Sequence, residues 1–106
     1  MVRQILSASG FIEGRTFRET RFIKPPNETY AVFLDSYTRR GSDDLNLITE
    51  HLYTIELYSY SPDPNAEERI ENTFDSLGIA YDKQDRYWLH DEQLYQVVYS
   101  FDYYEK

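Results

Sequence analysis

The 106-residue chain has no cysteine, only two histidines, and just four glycines and four prolines. Without cysteine there are no disulfides, no thiol nucleophile and no thiolate-ligated zinc. The four glycines stand apart from one another, so no glycine-rich loop is available to cradle a phosphate. His51 and His90 are the whole histidine supply, and no serine lies in a pattern that suggests a nucleophile triad with either. The opening stretch, MVRQILSASG, lacks a long apolar run. Neither a signal peptide nor a membrane span is expected, and synthesis is expected inside a cell. These shortages predict a non-enzymatic protein with no cofactor and no metal.

Aromatic residues are abundant, making up 17% of the chain, and eleven of them are tyrosine. Tyrosine pairs a large apolar body with a polar tip, which suits half-buried strand faces and surfaces that meet a partner. The length fits a single domain spanning 1–106, and the composition is too apolar for a disordered chain. The net charge of −8 is unevenly spread. Residues 1–27 carry five cations (Arg3, Arg15, Arg18, Arg21 and Lys24) against Glu13 and Glu19, so this head is basic. The remainder is strongly acidic. A basic head on an acidic body can attach to the acidic body of a neighbouring copy or to another partner.

The stretch 28–60 organises the rest. It holds a β-prone run over about 29–38, a charged segment over 39–48, and a second β-prone run to about 60. In the second run Tyr53, Ile55 and Leu57 alternate with Thr54 and Glu56, which sets one face on a core. The two runs are expected to pair antiparallel. Upstream, Val2, Ile5 and Leu6 mark a short helix over 2–9, stopped near Gly10. Residues 11–27 form a basic extended segment, a candidate extra strand or arm, ended by Pro25 and Pro26. Downstream, Ala66, Ile70, Phe74 and Leu77 draw one apolar stripe of a helix over 65–77. Asp63 or Asn65 is placed to cap its start and Gly78 to end it, with Glu67, Glu68, Glu71 and Asp75 expected to face away. Two more strands are expected over 79–89 and 92–104, joined at a turn near His90 and Asp91. The fold expected is α+β, in the order α-β-β-α-β-β, with a mainly antiparallel four-stranded sheet and two helices on one face.

Asp43, Asp44, Glu50 and His51 can be imagined around a metal. They come as adjacent pairs, however, and adjacent strand residues point to opposite faces, so the pattern does not converge ligands. Arg15, Arg18 and Arg21 interleaved with Phe17 and Phe22 could meet a single strand of nucleic acid, but the acidic body repels phosphate. No specific nucleic-acid binding is expected. The candidate contact residues for a subunit or partner are therefore Arg15, Arg18, Arg21, Arg39, Arg40, Asp43 and Asp44. The last four are expected on a loop over 39–48 that projects from the sheet.

Four stretches carry a resemblance to a known family: PPNETYAVFLD at 25–35, GSDDLNLI at 41–48, HLYTIELY at 51–58 and LYQVVYSFDYYEK at 94–106. With the order of elements, they make residues 25–106 similar to the tail terminator, tail completion or head–tail joining proteins of long-tailed bacteriophages, as found in siphophages and prophages of Gram-positive hosts. The resemblance implies a small α+β domain, six copies of which form a ring at the head-proximal end of the tail tube. That ring stops tube growth and presents a surface to the head–tail connector protein, without covalent chemistry. The implied partners are itself, as a homohexamer, the tail-tube protein and the connector. The implied location is the virion tail, with the host cytoplasm during assembly. Two other readings stay open. One is an acidic DNA mimic that inhibits a host enzyme, whose carboxylates should form one continuous face. The other is a cytoplasmic protein-interaction domain.

Overall fold

The three longest strands run side by side, and two helices cover one face of the sheet they begin. This computed structural model describes residues 1–40 and 48–105. The elements are α1 (Val2–Ala8), β1 (Phe17–Glu19), β2 (Tyr30–Arg40), β3 (Ile48–Ser59), α2 (Pro64–Leu77), β4 (Asp82–Lys83), β5 (Tyr87–Leu89) and β6 (Leu94–Glu105). The fold is α+β, and its strands make one mixed, mostly antiparallel sheet. The order is β1-β2-β3-β6-β4, with β5 also paired to β6.

Alternation decides the faces. Ala31, Phe33, Tyr53, Ile55, Leu57, Val97, Tyr99 and Phe101 fall on one side and are buried. They form a single apolar cluster with Val2, Ile5 and Leu6 of α1 and Ala66, Ile70 and Phe74 of α2. A buried residue of this size contributes roughly 1.5–3 kcal/mol relative to exposure. Phe74 is fully buried and meets Phe101 edge-on at 5.1 Å and Tyr81 in a stack at 4.6 Å. Helix α2 ends as expected on Gly78, whose left-handed φ of 67° lets its own N–H donate to the Asp75 carbonyl and the Ile79 N–H to that of Phe74. Leu77, the last residue of the expected stripe, is half exposed.

Several expectations need correction. The sheet has six strands rather than four. Part of 11–27 forms β1, which pairs parallel with β2 through Phe17–Ala31, Arg18–Val32 and Glu19–Phe33. The 79–89 strand is split into β4 and β5. Asp82 faces Ser100 and Lys83 faces Tyr99, whereas Tyr87 faces Gln96. The 84–86 run therefore holds one residue more than β6 opposite it, a bulge that breaks the strand. Arg39 and Arg40 belong to β2, opposite Thr49 and Ile48, and not to a loop. Asp43 and Asp44 lie outside the described residues. Glu67 and Glu71 do not face away from the body; Glu67 is buried and Glu71 half-buried.

Asp63 caps α2, accepting from the Ala66 N–H at 3.1 Å, and its other oxygen accepts from the Thr29 hydroxyl at 2.6 Å. The Thr29 bond, aided by the Ala66 N–H, holds the Asp63 carboxyl below its ordinary value. A depressed carboxyl adds stability above its unfolded pKa, and that stability is lost as pH falls through the folded value. Asp63→Ala should cost about 1–2 kcal/mol in urea titrations at pH 7. The gap to the parent should shrink below about pH 4, near the unfolded value of an aspartate.

Candidate interaction surface

The two edges of the sheet carry opposite charge, and local structure explains each. On the β1 side, the chain leaves α1, turns through residues 12–16 and enters β1. Arg15 donates its backbone N–H to Ile12 to close that turn. Arg18 lies in β1 opposite Val32, with its guanidinium 5.9 Å from the Phe22 ring centroid. Thr20 then takes a left-handed φ of 72°, costly for a β-branched residue, and turns the chain off the sheet. Arg21 and Lys24 follow and are exposed. The two carboxylates of this segment are taken up by α1: Arg3 Nε sits 2.8 Å from Glu13, and Arg3 Nη2 sits 3.5 Å from Glu19. Arg15, Arg18, Arg21 and Lys24 have no ion-pair partner among the described residues. This edge is basic.

The opposite edge is the reverse. Asp82, Asp85, Asp91 and Glu92 are all exposed along β4, the bulge and the β5–β6 turn. The two cations of this stretch turn inward to α2. Arg86 meets Glu67 at 2.6 Å, and Lys83 bridges Glu67 at 2.9 Å and Glu71 at 2.8 Å. Glu71 also accepts from the Tyr99 hydroxyl at 2.7 Å. Burial disfavours the Glu71 charge, yet Lys83 and the Tyr99 hydroxyl together hold the carboxyl below its ordinary value. The same burial, with Glu71 beside it, drives the Tyr99 phenol strongly upward. The network clamps the β4–β5 segment to the helix and leaves its outer rim acidic.

The third feature is an arm. β1 stops opposite Phe33 and β4 stops opposite Ser100, so only β2, β3 and β6 continue. The helix-covered cluster ends at Tyr53 and Phe101. Beyond it the same face carries the row Tyr37–His51–Tyr103, followed by Thr49 of β3 and Glu105 of β6. His51 is buried there and stacks on Tyr53 at 5.0 Å with an interplanar angle of 4°. Its Nδ1 hydrogen-bonds Asp35 at 2.7 Å, which ties β3 to β2, while its Nε2, 3.7 Å from Glu105, is buried without a hydrogen-bond partner among the described residues. Among the described residues no group of His, Asp and Glu is arranged to hold a metal. On the other face, Tyr30 and Tyr58 stack at 5.2 Å and Phe22 meets Tyr30 edge-on at 5.4 Å. They line a shallow cleft of about 220 Å³ with Pro25 and Leu89. Burial, with Glu56 hydrogen-bonded alongside, pushes the Tyr58 phenol up to about 12.

Of the residues singled out from sequence, Arg15 and Arg18 lie at the β1 edge, while Arg21 follows it and lines the open-face cleft with Glu92 of the acidic run. Arg39 and Arg40 stand apart from them, at the far end of β2. The acidic rim of Asp82, Asp85, Asp91 and Glu92 escaped sequence reading. Its signal was present as four carboxylates in eleven residues, but Lys83 and Arg86 lie among them and hide it. Comparison with protein-family models and with curated proteins found no match for this chain.

Glu67→Gln should remove the clamp on both cations. A loss of about 1–3 kcal/mol is expected, less than for a fully buried pair because Lys83 and Arg86 are each about a third exposed. Hydrogen exchange at the Gln84 amide, which donates to Val98 at 2.9 Å, should rise more than exchange in the middle of β3.

Proposed function

We propose that the chain is a non-enzymatic assembly protein that forms a head-to-tail ring. In the terms of its resemblance, six copies cap the tube of a long-tailed phage and join tail to head. The observation that carries this reading is the opposite charge of the two sheet edges. A contact between unlike patches is heterologous, and repeated by rotation it closes a ring. Edge charges of this kind guide the approach and register of neighbours more than they supply affinity. The body also tapers: the row Glu19–Phe33–Ile55–Tyr99–Lys83 is five strands wide, while the arm is three. At ~4.8 Å per strand the arm is narrower by about 10 Å, a wedge suited to packing around an axis.

In this reading the tail-tube and connector proteins are the other partners, and the ring works in the host cytoplasm and then in the virion tail. The DNA-mimic alternative gains less support, because the β1 edge is basic.

Light scattering on the full chain at low and moderate salt tests the proposal. A discrete oligomer should form and weaken as salt rises. The triple variant Arg15→Glu, Arg18→Glu, Arg21→Glu should associate at least about tenfold more weakly while keeping its circular dichroism. Mixing it with Asp82→Lys, Asp85→Lys, Glu92→Lys should recover paired species. Undiminished assembly of the triple variant would remove the electrostatic basis of the ring. Added tail-tube protein of a long-tailed phage should bind the oligomer and stop growing.

A further inference from the structure

Two features, one beside each edge of the sheet, fit each other. After β1 the chain leaves the sheet as a strap over residues 21–27. Thr20 sets its direction with a left-handed φ of 72°, a strained backbone for a β-branched residue. Two contacts then pin the strap. Phe22 meets Tyr30 edge-on at 5.4 Å, and the Tyr60 hydroxyl donates to the Pro26 carbonyl at 2.9 Å. Pro25 and Pro26 stiffen the stretch that ends there. Between the pins, Ile23 and Lys24 stand in solvent. Ile23 is 85% exposed, more than any other large apolar side chain among the described residues. A knob held in place this way loses little freedom on binding. On the opposite side, a cleft of about 160 Å³ opens where the chain passes from α2 into β4, between residues 80–82 and 100–102. Half-buried Tyr81 and buried Phe101 line it. Asp82 and Asp102 also line it; both are exposed, and neither has an ion-pair partner among the described residues. The cleft is smaller than the roughly 300–1,000 Å³ of small-molecule sites and suits a single side chain.

We infer that the strap of one copy docks on the next, with Ile23 seated in the cleft of Tyr81 and Phe101 and Lys24 set against Asp82 and Asp102. This rests on the ring proposed above and specifies its contact. Charge complementarity selects the occupant, because the cleft offers two carboxylates and the knob carries a cation beside its apolar tip. Strap and cleft are different patches of the same chain, so the contact is heterologous and repeats from copy to copy. The other two concave surfaces suit the strap less well. The groove between α1 and α2, lined by Gln4, Ala8, Arg69 and Asn72 among others, holds a cation and no carboxylate. The open-face cleft is walled by Phe22 and Pro25 of the strap itself. Burial of Ile23 supplies affinity, which the edge charges alone supply poorly.

Because Ile23 is exposed, Ile23→Ser should keep the circular dichroism and urea midpoint of the parent. In light scattering it should associate at least about tenfold more weakly. The factor should be the same at low and moderate salt, since apolar burial is not screened as charges are. Lys24→Glu and Asp102→Lys should each weaken association at least about threefold. One chain carrying both should recover the association of the parent, because every contact then regains an opposite pair. Lys24→Glu combined with Asp91→Lys has the same net charge and should stay weak. Association of Ile23→Ser equal to that of the parent would overturn the inference and leave the salt-dependent ring standing. So would failure of the Lys24→Glu, Asp102→Lys chain to recover, or equal recovery by the Asp91→Lys combination. A parent chain monomeric at every concentration overturns both the ring and this contact.

Discussion

The ladder that joins β3 to β2 on one side and to β6 on the other is the constraint on which the rest depends. Each pairing runs for eleven residues with no slip. A shift of one residue would exchange the buried face for the open one along the whole strand. With this register in place, Phe33, Ile55 and Tyr99 form one row beneath the helices, and the Glu56 carboxylate falls on the other side. The helices then have a single apolar surface to cover, and their short stripes suffice.

The same register determines where charge ends up. β1 can reach only the first part of β2, and β4 only the middle of β6. The basic segment that leads to β1 is therefore held at one edge and the acidic run around β4 and β5 at the other. Glu67 sharpens the contrast. It is buried beneath the segment it clamps, and it draws Lys83 and Arg86 in from the acidic rim. Arg3 does the reverse at the far side, taking up Glu13 and Glu19 and leaving arginines on the outside. One residue on each helix, Arg3 and Glu67, thus converts a mixed sequence into two edges of opposite sign.

Among the described residues no group of His, Asp and Glu is arranged to hold a metal. His51 is committed to Asp35 and to the stacking of Tyr53, and it holds the arm together where the apolar cluster has ended. The polar groups left over are mostly backbone groups on strand edges and side chains on rims, which act through geometry and pairing. The proposed assembly role would use the taper of the sheet and the sign of its edges.

How much could be read from sequence differs by element. Helix α2 was legible because its stripe, its Asp63 cap and its Gly78 stop are all local. The strands β2, β3 and β6 were legible because alternation is local too, as at Tyr53, Ile55 and Leu57. The tertiary structure alone decided that residues 17–19 pair in parallel, since three residues carry no periodic signal and their partners lie a dozen residues away. It alone decided that a bulge divides β4 from β5, because the extra residue exists only relative to β6. Glu67 looked solvent-facing by sequence, since a carboxylate in the first turn of a helix is favoured by the helix dipole alone. Its burial depends on two cations that arrive from sixteen and nineteen residues further along. The sequence by itself determined the two helices and the long strands β2, β3 and β6, and which side of each would be apolar, because those depend on neighbours within a few residues. Which charges share an edge, and which edges stay open, depends on contacts between distant segments, and only the folded sheet brings those together.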